Sequence, residues 1–318
     1  MTKLKACISI DVDTLSSIYK GVGCTRPGGY TFIEFRIGME NLAAFFERFN
    51  IETTLFMVGN DFLHKANLGH IQAVHQAGHE VANHSMTHPQ GFRWLSTTAK
   101  EKEIRSMGQV CQDCIGEQPI GFRSPGWNND DSAIPVLKKY RYQYDSSVFP
   151  TFLMPIMKIA HWRSMSKREQ HERTTMGSLA NMFAPIQPYR TSSQSLGKKG
   201  EDGLLEFPIS VSPVLRIPFF ATQLLFSGVK FNQLLYKSLR FAQYSIHFQM
   251  HLSDFVDYSL PELADQMPRN GQGSYIPQAL HTSLSKKLDV FARIIELIAH
   301  DYDFNTLKQW AQVFDTKK

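Results

Sequence analysis

Apolar residues fall along this chain in short bursts that stop at polar or ionisable positions. Residues 4–10 are an apolar-rich run closed by Asp11 and Asp13, the pattern of a buried strand. The period then changes: Ile37, Leu42, Phe45, Phe46 and Phe49 recur at helical spacing, and Asn50 suits the helix end. Residues 53–58, rich in Thr, Phe and Val and stopped by Gly59, predict a second strand. Beyond them the pattern predicts a helix over about 69–76, a strand over 80–83 running into His84, and a helix over about 97–114. A strand over 120–122 then ends at Arg123, a short helix covers 132–139, and a strand over 142–144 ends at Asp145. Residues 21–29, with four glycines and Pro27, are loop-like. Strand–helix alternation of this kind argues for a parallel sheet with crossover helices. Asp13, His84, Arg123 and Asp145 all fall at C-terminal ends of predicted strands, the face on which barrels of βα units carry their active sites.

Between residues 151 and 240 the alternation fades. Pro and Met become frequent, and bulky apolar clusters such as Pro218-Phe219-Phe220 and Leu224-Leu225-Phe226 alternate with basic residues. Regular patterning resumes with a strand over 244–251 and a helix over about 283–299. The expectation is one catalytic domain over 1–318, with a basic, aromatic-rich insertion at about 151–240.

Composition sharpens that division. Of 318 residues, 42% are hydrophobic and 20% charged, which excludes a disordered chain, and the four cysteines are too scattered for a secreted disulfide framework. The net charge of +5 is mild, but residues 151–240 carry 12 lysines and arginines against 5 acidic residues, a net of +7, so the rest sums to −2. The N-terminus lacks the apolar core of a signal peptide, and the longest apolar candidate for a span, 204–229, is broken by Glu206, Arg216 and three prolines. The expected location is cytoplasmic, peripheral at the inner face of a membrane.

The residues that carry chemistry are Asp11 and Asp13 at one strand end and His84 and His88 four apart. One carboxylate with two histidines, and positions left for water and substrate, is the inventory of a catalytic rather than a structural metal site. An H-x3-H pair alone is a weak signal that more often marks satisfied surface or core histidines. Asp11 by itself reads as a strand-end cap, Arg123 as a salt-bridge partner, and Asp145 as a turn cap or a site residue. Cys111 and Cys114 form a lone CxxC inside a predicted helix, Gly21 and Gly23 lack the rest of a dinucleotide fingerprint, and Asn83-His84-Ser85 matches a glycosylation sequon that means nothing without secretion.

Taken together, five ordered motifs resemble the polysaccharide deacetylase superfamily (carbohydrate esterase family four). They are ISIDVDT from Ile8, TTLFMVG from Thr53, AGHEVANHSMTH from Ala77, GFRSPGW from Gly121 and YDSSV from Tyr144. The resemblance implies an α/β fold, a distorted (β/α) barrel of the polysaccharide deacetylase type with a long insertion. It implies that Asp13, His84 and His88 bind a divalent metal, with Zn2+ expected. It also makes Asp11 the general base, held by Arg123 through a charge-assisted pair, and places Pro125, Trp127 and Asp145 against the substrate. The family supplies a late histidine as general acid. Here His247 and His251 share a strand face, and His251, nearer the C-terminal end with Asp254 three residues on, is preferred.

Two departures stand out. Val12 separates the aspartates that are adjacent in the common motif, and the arginine motif is compact. Both look more like the branch acting on small or lipid-linked amides than like secreted chitin or peptidoglycan enzymes. The implied activity is metal-dependent N-deacetylation of an N-acetyl amino sugar, lipid-linked or otherwise a glycan-assembly intermediate. Deformylation or cyclic-amide hydrolysis is the alternative within the superfamily. A non-catalytic protein binding anionic glycans or lipid phosphates is the alternative outside it. The basic segment 151–240 is expected either as a solvated rim or as a contact with a membrane surface, the site of a polyprenyl-phosphate-linked sugar; no nucleic acid is expected.

Overall fold

The computed structural model describes residues 3–15, 32–164, 177–264 and 282–314; the glycine-rich stretch 21–29 lies outside them. In chain order the barrel begins with β1 (Leu4–Val12), α1 (Phe32–Phe49), β2 (Thr54–Met57), the short α2 (Gly59–Phe62), α3 (Lys65–Gln76) and β3 (Glu80–Asn83). It continues with α4 (Thr97–Ile115), β4 (Gly121–Phe122), α5 (Ala133–Lys139) and β5 (Tyr144–Asp145). After α6 (Met154–Ser164) come the hairpin β6 (Tyr189–Ser192) and β7 (Ser195–Lys199), then β8 (Leu205–Glu206), α7 (Ala221–Ser227), α8 (Val229–Phe241) and β9 (Ile246–His251). The chain ends with α9 (Pro261–Ala264), α10 (Leu284–Asp301), β10 (Tyr302–Phe304) and α11 (Leu307–Phe314).

Parallel pairing runs β1–β2–β3–β4–β5–β8, and β9 lies along the other edge of β1. Ala6 pairs with Phe304 on one edge and Ile246 on the other, so β10 borders only the first residues of β1, ahead of β2. The chain beyond β8 closes the curve. Phe207 N–H donates to Asp145 O at 3.0 Å, Ile209 N–H to Val148 O at 3.1 Å and Ser210 N–H to His247 O at 3.2 Å. The result is a curled α/β sheet, the distorted barrel expected from the motifs.

β1 reads as a continuous apolar run because both of its faces are covered. Ala6, Ile8, Ile10 and Val12 join the outer core with Phe35, Met39, Leu42 and Phe46 of α1 and Phe291, Ile294, Ile295 and Ile298 of α10. Burying each such side chain contributes roughly 2 kcal/mol or more. The alternate residues point into the barrel, where Cys7 packs with Phe56, Ala82, Tyr144 and Phe207, and Leu307 and Trp310 of α11 close the N-terminal end. The same period of two then carries Ser9, Asp11 and Asp13 up the inner face to the opposite end.

The basic segment proves to be two different things. Through about residue 204 it leaves the barrel, with α6, a 3₁₀ turn at Leu179–Phe183 and the β6–β7 hairpin, which pairs antiparallel to β8. At β8 the barrel resumes, since Leu205 and Glu206 pair in parallel with Tyr144 and Asp145. Leu224, Leu235, Tyr236 and Leu239 of α7 and α8 then sit in the main core. The sequence boundary of 240 is therefore too late. A two-residue strand holding a glutamate leaves no periodic signal, and only its pairing shows that it is a barrel strand.

Candidate active site

Parallel register delivers the predicted residues to one end. His84 and Arg123 are the first residues beyond β3 and β4, their N–H groups donating to Met57 O and Asn83 O at 2.9 Å each. Asp11 lies opposite His251 across the β1–β9 pair. Asp13, His84 and His88 converge there, with ligand atoms all within 4.8 Å of one another. Asp13 Oδ1 is 3.5 Å from His84 Nε2 and 3.2 Å from His88 Nε2.

The two histidines reach this point through a loop held from several sides. Ser85 and His88 both adopt positive φ, at 66° and 52°, conformations disfavoured for such residues and typical of functional sites. Ser85 N–H donates to Asn83 Oδ1 at 2.7 Å and His88 N–H to Ser85 Oγ at 3.1 Å. The Thr87 N–H and hydroxyl donate to the two carboxylate oxygens of Glu103 at 2.8 and 2.9 Å. From the other side Gly59 N–H donates to Ser85 O at 3.0 Å. A Cβ on Gly59 would stand 2.4 Å from Met86 Sδ, so the close approach of this loop requires glycine there.

Does this cluster fit a metal? His84 Nδ1 is 2.8 Å from Arg123 O, and because a carbonyl can only accept, Nδ1 carries the proton. A neutral His84 then turns its Nε2 lone pair toward a carboxylate oxygen. Both Nε2 and Asp13 Oδ1 are buried without a hydrogen-bond partner among the described residues. Two acceptors face to face are stabilised only by a cation or a proton between them, and the Asp-His-His donor set matches an open catalytic site for a divalent ion. The electrostatics agree. Burial would raise the Asp13 carboxyl, but the charges of His88 and His84 hold it well below the usual range. Burial would lower His84, and Asp13 outweighs it and raises the imidazole.

Beside this cluster lies a second one, centred on Arg123, which is fully buried. Its Nη1 donates to Asp11 Oδ1 at 2.5 Å, Nε to Ser146 O at 2.9 Å, and Nη2 to Ser9 Oγ and Ser146 Oγ at 2.9 and 2.8 Å. The guanidinium lies 4.0 Å from the Phe56 ring centroid. Asp11 Oδ2 accepts from Gln249 Nε2 at 3.2 Å, and the same amide nitrogen is 3.2 Å from His251 Nε2. Gln249, Ser9 and Ser146 were not singled out from the sequence. For Ser9 and Gln249 the signal was present: each is two residues from a predicted site residue and so on the same strand face. Ser146 carries no such signal.

His247 and His251 do share a face, at different depths. His247 is buried beside Ser9 Oγ at 2.8 Å and Arg123 Nη2 at 3.2 Å, with Nδ1 3.2 Å from both Phe207 O and Pro208 O. Burial, aided by Arg123, pulls its pKa down to about 3. His251 is partly open, and its ring stands 6.4 Å from that of Trp127. Asp254 does not meet the His251 ring in the way the spacing suggested; its Oδ2 accepts from the His251 backbone N–H at 2.8 Å. Trp127, at φ 54°, ends the 3₁₀ turn that Pro125 starts and packs against Phe149 at 5.0 Å and Phe220 at 6.3 Å.

Asp145 is the residue the structure removes from the substrate-facing set. It is fully buried, and its oxygens accept from Ser147 Oγ at 2.7 Å and Asn129 Nδ2 at 3.2 Å. Burial pushes it up to about 6 and carries the neighbouring Glu206 well above the glutamate range. Of its two readings from sequence, the structural one fits. The Asn83 of the sequon is likewise buried, donating to Ile104 O at 3.0 Å. Cys111 is a buried thiol, raised by that burial to about 12, which fits a packed core position in the helix.

Comparison with known proteins agrees with this geometry. The family profile described as Polysaccharide deacetylase matches residues 35–144. A putative polysaccharide deacetylase from Mycobacterium smegmatis shares the fold, with a TM-score of 0.61 at 14% identity over 99% of this chain and 92% of that one. PuuE allantoinase shares it with a TM-score of 0.56 at 12% identity over 97% and 89%. No curated protein sequence matches the chain. The motif-based resemblance to the polysaccharide deacetylase superfamily is thereby borne out by the profile over 35–144 and by the shared fold.

Proposed function

We propose that this chain, carrying the polysaccharide deacetylase pattern on that superfamily's barrel, is a divalent-metal-dependent N-deacetylase. Its substrate is an N-acetyl amino sugar, with a lipid-linked glycan-assembly intermediate as the preferred class and Zn2+ as the preferred ion. The observation that carries this reading is the convergence of Asp13, His84 and His88 beside an Asp11–Arg123 pair and an open histidine.

In this reading Asp13 Oδ1, His84 Nε2 and His88 hold the ion. When bound, such an ion polarises an acyl carbonyl and acidifies water. The rest is done by the chain. Arg123 and Gln249 hold Asp11 from two sides, so that its carboxylate stays aimed as the base for the attacking water. Across the strand pair, His251 gives a proton to the leaving amine. One C–O bond forms, the C–N bond breaks, and the products are acetate and the free amino sugar. Trp127, Phe149 and Phe220 form the apolar wall beside His251.

The test is metal analysis together with deacetylation of an N-acetylglucosamine substrate. The purified protein is expected to hold one divalent ion per chain and His84→Ala none. Asp11→Asn and His251→Ala should each lose about a hundredfold or more in kcat. Full activity in both Asp11→Asn and His84→Ala sinks the mechanism, and absence of both metal and turnover leaves the non-catalytic alternative.

A further inference from the structure

From residue 207 to residue 253 the chain contains no aspartate or glutamate. Helices α7 and α8 lie in this stretch, and their inner faces are ordinary core. Their outer faces are not ordinary surface: Phe226 is 80% exposed, Leu234 62% and Phe241 93%. Single exposed apolar residues are common, but three this open on two consecutive helices exceed that background.

The cations follow the same geometry. On α8, Lys230, Leu234, Lys237 and Phe241 recur at helical spacing and fall on one exposed stripe, opposite the buried Asn232, Leu235, Tyr236 and Leu239. Arg240 is paired with Asp301 at 3.3 Å, but Lys230 and Lys237 have no ion pair among the described residues. Large apolar side chains interleaved with unneutralised lysines, on a stretch with no carboxylate of its own, make an interfacial helix face, the neighbouring Asp301 being paired with Arg240. A second copy of the chain is a poor occupant, because a two-fold contact over this stripe would set its lysines against their own kind.

The near end of this face, at the start of α7, adjoins the catalytic wall, whereas Arg240 in the last turn of α8 pairs with Asp301 just ahead of β10, at the barrel's other end. α7 begins directly after Phe220, whose ring is 6.3 Å from Trp127, and Phe226 lies roughly 9 Å further along the helix.

We propose that the α7–α8 face seats the protein on an anionic lipid bilayer. Phe226, Leu234 and Phe241 enter the headgroup region, and Lys230 and Lys237 pair with lipid phosphates. The seating does not depend on the deacetylase reading, since it is measured without turnover.

The experiment is co-sedimentation of the full chain with vesicles of phosphatidylcholine alone or mixed with phosphatidylglycerol, at low and high salt. The expected result is binding to the anionic vesicles only, weakened by salt. Lys230→Glu with Lys237→Glu, and Leu234→Ser with Phe241→Ser, should each reduce partitioning about tenfold or more. Both variants should keep the wild-type melt and the wild-type activity on a water-soluble substrate, so that a loss of binding is not a loss of fold. The proposal is overturned if the wild type stays in the supernatant, or if both variants bind like it. It is also overturned if sedimentation velocity shows a dimer that Phe241→Ser dissolves, because a second copy then covers the face.

Discussion

His247 and His251 are the same residue type on the same strand face, yet burial gives them opposite uses. His247, locked between Arg123, Ser9 and two carbonyls, is kept neutral, its pKa lowered to about 3. The unfolded chain takes up a proton near pH 6.5 that the folded chain refuses, so this residue's contribution to stability falls as pH drops from 6.5 toward 3. The loss approaches about 1.4 kcal/mol per pH unit well below 6.5. Urea unfolding of His247→Gln between pH 4 and 7 should show a flatter pH profile than the wild type; an unchanged slope would mean that another group sets it. The site residues themselves were legible in sequence because each stands at a strand end in a motif of fixed spacing. What spacing cannot report is depth. It placed the two late histidines on one face, and it left Asp145 facing substrate when that carboxyl is in fact enclosed by Ser147, Asn129 and Glu206.

Among the elements, β4 and β5 are only two residues each, and their contact is unusually tight. A Cβ on Gly121 would fall 1.9 Å from the Tyr144 ring, and that ring cannot retreat because its hydroxyl donates to Glu80 Oε1 at 2.7 Å. Gly121→Ala should therefore destabilise the fold by about 3 kcal/mol in chemical denaturation. A wild-type midpoint in that variant would show that the β4–β5 contact is slack. The long elements were readable from the chain. α4 carries the period expected of it, a Ser96 cap accepting from Ala99 N–H at 3.2 Å, and Gly116 at its C-terminus in the left-handed region. β6, β7 and β8 were not: they are set by their pairing partners, and β8, two residues long with a glutamate, has no period to read.

For the whole molecule, the charge total of +5 hides a division, with a basic arm and basic helices added to a slightly acidic barrel. No helix among the described residues is long and apolar enough to cross a membrane. The proposed metal joins Asp13 on β1's end to the loop after β3, and a ligand that binds only the folded state stabilises it. Dialysis against a chelator should lower the wild-type melting temperature by about 5 °C or more, and His84→Ala should show no such response. Equal responses in both would place the ion elsewhere. By itself the sequence determined the parallel barrel and the residues at its C-terminal end, because the alternation of periods and the strand-end positions are local properties of the chain. Only the tertiary structure decided which late histidine is open and where the barrel resumes. Those follow from contacts such as Asp11 against His251 and Asp145 against Glu206, made by segments far apart in sequence, and burial at such contacts has no local signature.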